Sequence, residues 1–227
     1  MDGHPGMDPD TVTVLWCTTD GDERTTARSL LLRNAAAMLD VPESEVWMEH
    51  EPGGRPYLGG AGEGLSVSVA HTRGALAIAL SGRWPVGVDL EGVRELRAEA
   101  MARAWLHPAE AAWIGALPEG ERSLAFLWLW TQKEAVGKAL GRGLRGGGMG
   151  RAMPLPEPWP PGPHPPSAPR ALPDAEGVVS LALQVGGGRH VVGVALRGEG
   201  ADGPDGAGSG EGGVRVQVRR IFSRGRT

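Results

Sequence analysis

The spacing of apolar residues along this chain changes period several times, and each change marks an element. From Thr11 to Thr18, β-branched and apolar residues run almost unbroken, which predicts a buried strand. Residues 20–23 form a polar turn whose acidic side chains suit a helix N-terminus. Ala27, Leu30, Leu31, Ala35 and Met38 then recur at helical spacing and predict a helix over residues 24–39. Pro52-Gly53-Gly54 reads as a turn. Two strand-length apolar runs, 65–70 and 75–80, flank Thr72-Arg73-Gly74 and predict a hairpin. A third strand follows over 85–91. Helical patterns then take over: 96–105, a helix opened by Pro108 with Glu110 early in it, and a long one over 121–140 stopped by Gly141 and Gly143. Residues 178–185 and 190–196 form a second predicted hairpin around Gly186-Gly187-Gly188. Residues 214–221 alternate with charges and predict an edge strand. Each half thus carries a helix followed by a hairpin, a faint duplication with no sequence identity between the halves.

Composition changes this picture in two places. The chain has 37 glycines and 19 prolines, and the excess falls in the glycine run 146–150, the proline-rich stretch 154–169 and the Gly/Asp/Glu tract 198–213. Proline bars the second from helix or central strand. Residues 1–10, 146–169 and 198–213 are therefore expected as a disordered start and two flexible inserts, the proline-rich part a surface loop. The other change is by exclusion. A net charge of −4 gives no global basic field for nucleic acid. The single cysteine, Cys17, excludes an intrachain disulfide and a cysteine-built zinc site, and it reads as inert core. No signal-peptide pattern is visible and no apolar run nears the ~18 residues of a membrane span, so a cytoplasmic protein with no membrane partner is the default expectation.

Four constellations carry candidate chemistry. In Val86-Gly87-Val88-Asp89-Leu90-Glu91, strand alternation puts the three large apolar residues on one face and Gly87, Asp89 and Glu91 on the other. Two carboxylates roughly 6.6 Å apart along a strand repel unless a cation lies between them, which suits a hard-metal site; an acidic strand end facing water is the alternative. On the long helix, Trp130, Glu134 and Lys138 stack at i, i+4 and i+8, so Glu134 can add a third carboxylate or take a proton and Lys138 can neutralise phosphate. An ordinary surface Glu–Lys pair is the alternative there. Ser68-Val69-Ala70-His71-Thr72, with Arg73 beside it, places a histidine at a hairpin tip suited to phosphate. Gly54-Arg55-Pro56-Tyr57 places a basic residue in a turn suited to anions.

Taken in order, the arginine-led helix, G-R-P-Y, A-H-T, V-G-V-D-L-E and W-T-Q-K-E-A-V-G-K-A-L-G-R-G-L resemble the surfactin-type 4′-phosphopantetheinyl transferases. The family hallmarks are G-K-P, S-H-S, G-[IV]-D-[IVL]-E and W-x-x-K-E-[AS]-x-x-K-x-x-G. The resemblance covers residues 11 to about 145. It implies an α/β protein of the mixed α+β kind, with two similar subdomains related by a pseudo-twofold axis, here residues 11–95 and 96–227, and coenzyme A in the cleft between them. It implies that Asp89, Glu91 and Glu134 hold Mg²⁺, with Mn²⁺ as an alternative, that Glu134 ligates the metal or serves as base, and that Lys138 contacts the pyrophosphate region. It implies that Arg24, Arg55, His71, Thr72, Asp89, Lys133 and Lys138 contact coenzyme A. The chain departs from the pattern at Ala70, where the family has serine, at Arg55, where it has lysine, and in a shortened segment before Arg24.

The resemblance further implies a monomer that moves phosphopantetheine from coenzyme A to a serine of an apo acyl or peptidyl carrier protein. Two other classes fit the same residues: a scaffold that binds carrier protein or nucleotide without turnover, and a metal-dependent pyrophosphate hydrolase. The high Gly, Ala, Arg and Pro usage suggests a GC-rich genome of the kind found in producers of polyketides and nonribosomal peptides.

Overall fold

The computed structural model describes residue 8 and residues 10–144, 148–161, 168–173, 175–198 and 214–221. Strand β1 (Thr11–Thr18) leads into helix α1 (Glu23–Leu39). Asp22 caps that helix, its carboxylate accepting the Thr25 N–H at 2.7 Å. Strands β2 (Val46–His50) and β3 (Pro56–Gly60) form a small antiparallel pair. The hairpin β4 (Ser66–Thr72) and β5 (Ala75–Ser81) follows, then strand β6 (Val86–Gly92). Helices α2 (Ala98–Trp105), α3 (Pro108–Ala116) and α4 (Glu119–Ala139) come next. The chain then builds β7 (Arg170–Leu172), β8 (Ala175–Val185), β9 (His190–Arg197) and β10 (Arg215–Arg220). The protein is of the mixed α+β class.

Two four-stranded sheets organise these elements, in the orders β10-β1-β5-β4 and β6-β9-β8-β7. The faint duplication is topological. In each sheet an opening strand is followed by a helix and a hairpin, and the opening strand pairs antiparallel with the hairpin's second strand, β1 with β5 and β6 with β9. Sheet membership crosses residue 95: β6 lies in the second sheet, and β10 returns to the first, parallel to β1.

Alternation explains the layers. Val12, Val14 and Trp16 of β1, Ala77 and Ala79 of β5, and Val86, Val88 and Leu90 of β6 meet Leu181, Leu183, Val192 and Val194 in one buried layer between the sheets. The opposite face of the first sheet, with Leu15, Leu76, Ile78 and Leu80, packs on Leu30 and Leu31 of α1. The second sheet takes α4 on its outer face, where Ala135, Val136 and Ala139 join the core with Ala195. The order is helix, sheet, sheet, helix.

Helix α4 lies unusually close to its sheet. A Cβ at Gly87 would overlap the Ala135 carbonyl oxygen, and one at Gly193, the cross-strand partner of Asp89, would overlap the Thr131 carbonyl. Both glycines exist to let backbone meet backbone. The edge strands β4 and β6 also meet. They share no backbone ladder. Ser66 Oγ accepts the Val86 N–H and Ser68 Oγ the Val88 N–H, each at 3.0 Å.

The proline-rich segment departs from expectation. Its described residues hold no strand, but they pack as a strap across α3 and α4 instead of standing off as a surface loop. Met153, just before the segment, is buried, and Trp159 lies edge-on to Trp113 and Trp128, its indole N–H donating to Glu121 at 2.9 Å. One tryptophan and one methionine supply the apolar anchor that average composition hid. The expected disordered start falls mainly, and the 198–213 insert almost wholly, outside the described residues. Among the described residues no helix is long and apolar enough to cross a membrane.

Candidate active site

The centre of the site is the outward face of β6 beneath α4. With Val86, Val88 and Leu90 turned into the inter-sheet core, Asp89 and Glu91 point toward the helix side, both partly exposed. On α4, Glu134 and Lys138 sit one turn apart and face them. Lys138 Nζ donates to Asp89 Oδ1 and to the Val88 carbonyl, both at 2.9 Å. Burial, followed by the negative charge of Asp89, holds the Glu134 carboxyl above the ordinary carboxylate range. Lys138 opposes that rise and Glu91 adds to it. Glu134 therefore shares one electrostatic neighbourhood with both strand carboxylates. Glu91 is paired outward with Arg94 at 2.7 Å.

The donor set is chemically right for a hard divalent cation: three carboxylates and no sulfur or imidazole. Its geometry is not preformed. Among the described residues no three His, Cys, Asp or Glu side chains converge as a metal cluster. Lys138 and Arg94 instead neutralise the two strand carboxylates. A cation would replace those contacts, and it would offset the carboxylate repulsion that adds to the effect of burial on Glu134.

The other candidate residues fall into three places. Arg24 and His71 gather at the N-terminus of α1, and Thr72 follows His71 at the end of β4. The tip of the β4–β5 hairpin is tied there by the Gly74 N–H donating to Glu23 at 2.9 Å. Asp22 feels the charge of both Arg24 and His71, and its carboxyl is lowered first by its hydrogen bonds to Thr25. Continuing the two-residue steps from Ser66–Val86 and Ser68–Val88 puts Thr72 level with Gly92, so this corner borders the acidic end of β6. Arg55 arrives from the β2–β3 turn. Its guanidinium lies against Gly141, so closely that a Cβ there would stand 3.3 Å from Nη1. Arg55 thus reaches the C-terminal end of α4, near Lys138, where helix polarity favours a cation.

Lys133 is not brought to this group. Its side chain is 0% exposed and bonds both oxygens of Glu110, at 2.8 and 3.0 Å, and the Arg151 carbonyl. Glu110 also accepts the Met153 N–H at 2.8 Å and, as part of a capping box, the His107 N–H at 3.0 Å. This cluster locks α3, α4 and the strap together. Burial pulls the Lys133 ammonium below its ordinary range despite Glu110. Sequence reasoning missed Glu110 as its partner. The available signal was a lone carboxylate inside the apolar helix Pro108–Ala116, which needs a buried cation. Ala70 also reads differently in space. It is buried between the sheets, so the missing hydroxyl is absent from the β4–β6 seam.

Residues 85–157, from the start of β6 to the strap, match the sequence model of the 4′-phosphopantetheinyl transferase superfamily. That segment holds Asp89, Glu91, Glu134 and Lys138, and leaves out Arg24, Arg55, His71 and Thr72. The chain is 30% identical over 123 residues to the 4′-phosphopantetheinyl transferase HetI of Nostoc sp., covering 53% of this chain and 52% of that protein. It is 25% identical over 115 residues to the 4′-phosphopantetheinyl transferase gsp of Aneurinibacillus migulanus, covering 51% and 46%. The chain thus spans about half the length of the curated relatives it matches, and the matched superfamily segment is the one that places two strand carboxylates under a glutamate and a lysine of α4.

Proposed function

We propose that this protein transfers the 4′-phosphopantetheine arm of coenzyme A to a serine of an apo acyl or peptidyl carrier protein, in a Mg²⁺-dependent reaction that releases adenosine 3′,5′-bisphosphate. The observation that carries this reading is the facing of Glu134 and Lys138 on α4 to Asp89 and Glu91 on β6, inside the matched segment. Asp89, Glu91 and Glu134 would hold the metal, which when bound supplies positive charge beside the pyrophosphate.

In the transfer, the carrier serine oxygen forms a bond to the β-phosphorus, and the bond from that phosphorus to the oxygen bridging to the α-phosphate breaks. The serine proton passes to Glu134, the α4 carboxylate that faces Asp89 and Glu91. Lys138 neutralises charge growing on the leaving phosphate. Arg24 and His71 at the helix N-terminus, Thr72 at the end of β4, and Arg55 at the far end of α4, hold the phosphates of coenzyme A. Lys133 takes no part in ligand binding in this scheme, because its ammonium is already bonded to Glu110. The protein acts as a monomer in the cytoplasm, where coenzyme A and carrier proteins meet.

The test is incubation with coenzyme A, Mg²⁺ and an apo carrier protein, followed by intact mass. Gain of a phosphopantetheinyl mass on the carrier supports the reading. Free phosphopantetheine with an unmodified carrier shows hydrolysis instead, and no change shows a scaffold.

A further inference from the structure

The seam between the two sheets is built from serine hydroxyls, and one of them abuts the site. Ser66 Oγ accepts the Val86 N–H and Ser68 Oγ accepts the Val88 N–H, so β6 hangs on β4 by two side-chain rungs. The carbonyl of the same Val88 accepts from Lys138 Nζ, and that ammonium is bonded to Asp89. Ser68 is 4% exposed and cannot touch a substrate. The next rung is missing: Ala70, two residues on, stands level with Leu90 and offers no oxygen. Ser68 is thus the last rung before the segment that carries Asp89 and Glu91.

We propose that Ser68 is a positioning residue for Asp89 and Lys138, acting through the Val88 backbone. Its hydroxyl fixes the height of Val88, and Val88 with Asp89 fixes where the Lys138 ammonium rests. Loss of that oxygen frees the end of β6 to shift, and misplacement by a fraction of an ångström is costly where charges must meet a reacting phosphate. This inference rests on the transferase reading given above.

Ser66 is the internal control, because it makes the same bond in the same seam four residues along the strand pair from the missing rung. A merely structural role predicts that Ser66→Ala and Ser68→Ala change stability only and leave kcat and Mn²⁺ affinity alike. Positioning predicts modest losses of melting temperature in both, somewhat larger for the buried Ser68 bond than for the part-buried Ser66 bond. It predicts a kcat lower by about tenfold or more for Ser68→Ala, and an unchanged kcat for Ser66→Ala. The KM for coenzyme A stays within about twofold in both, since neither serine touches the nucleotide corner. Ser68→Thr, which keeps the oxygen, restores kcat. Mn²⁺ alone, followed by its relaxation of water protons, supplies a readout independent of turnover: Ser68→Ala weakens its binding and Ser66→Ala does not. Wild-type protein that fails to modify a carrier overturns the transferase reading, and the Mn²⁺ comparison then still decides the role of Ser68. If neither kcat nor Mn²⁺ affinity separates the two alanine variants, or a stably folded Ser68→Thr stays as impaired as Ser68→Ala, the proposal falls.

Discussion

Lys133 and Glu134 are neighbours in sequence, yet they occupy opposite electrical worlds. Lys133 is sealed among α3, α4 and the strap, bonded to Glu110, which itself accepts the Met153 and His107 N–H groups. Glu134, one residue on, is half-buried, faces two other carboxylates and holds its proton too tightly for an ordinary glutamate. The first arrangement spends charge on fixing three elements. The second leaves three carboxylates facing two cations, so negative charge is in excess where a metal or a proton can settle. A turn of about 100° around one helix separates structure from chemistry.

Substitutions on the two sides should therefore fail in different currencies. The largest effect is expected on the sealed side. Lys133→Met strands the Glu110 carboxylate in the core, and removing one partner of a buried pair costs about 3–5 kcal/mol. Chemical denaturation should show that loss, and any folded fraction should keep a near-normal KM for coenzyme A. A stable Lys133→Met protein with a raised KM would return Lys133 to the ligand site and erase the contrast. On the open side, Glu134→Gln should lower transfer activity by ~10²-fold or more with the fold intact, as expected for a base or metal ligand. Full activity with a normal melting curve would reduce Glu134 and Lys138 to a surface pair.

The smallest effect sharpens the comparison through pH. The folded state raises the Glu134 carboxyl, so the group's contribution to stability is fully present below the unfolded carboxylate range and is lost as pH rises through the folded one. In chelator-containing buffer, Glu134→Gln should melt slightly above wild type at neutral pH, and the gap should close on acidification through the carboxylate range. A gap of the opposite sign, or one independent of pH, would mean that Lys138 outweighs burial and the two strand carboxylates.

Most of the framework could be read from periodicity. The opening strand, the first helix, both hairpins and the long α4 show clean spacing, because each buries one face or a whole run. The pair β2 and β3 escaped. Each has five residues, Trp47 and Tyr57 on them are exposed, and Gly59 and Gly60 end the second, so alternation is weak and Pro52-Gly53-Gly54 was visible only as a turn. Period-two spacing put Asp89 and Glu91 on one strand face and period-3.6 spacing put Glu134 and Lys138 on one helix face, but only the family resemblance implied that the two faces meet. The inward direction of Lys133 was not legible because a motif names residue types without saying which way they point. Its partner Glu110 lies 23 residues away, and no local pattern ties the two. The seam serines were visible only as part of a hairpin strand, since nothing in the sequence says that β4 and β6 are edges that meet.

The return of β10 to the first sheet has a mechanical consequence. Thr11 to Trp16 of β1 lie beside Arg215 to Arg220 of β10 in parallel register. A stretching force applied between Thr11 and Arg220 pulls the two strands lengthwise past each other. All hydrogen bonds of that ladder then share the load and must yield together, whereas an antiparallel pair pulled from adjacent ends opens one bond at a time. Tethered in an optical trap by those two positions, the protein should rupture in a single high-force step. Tethered across the tip-distal ends of the β8–β9 hairpin, it should peel at lower force.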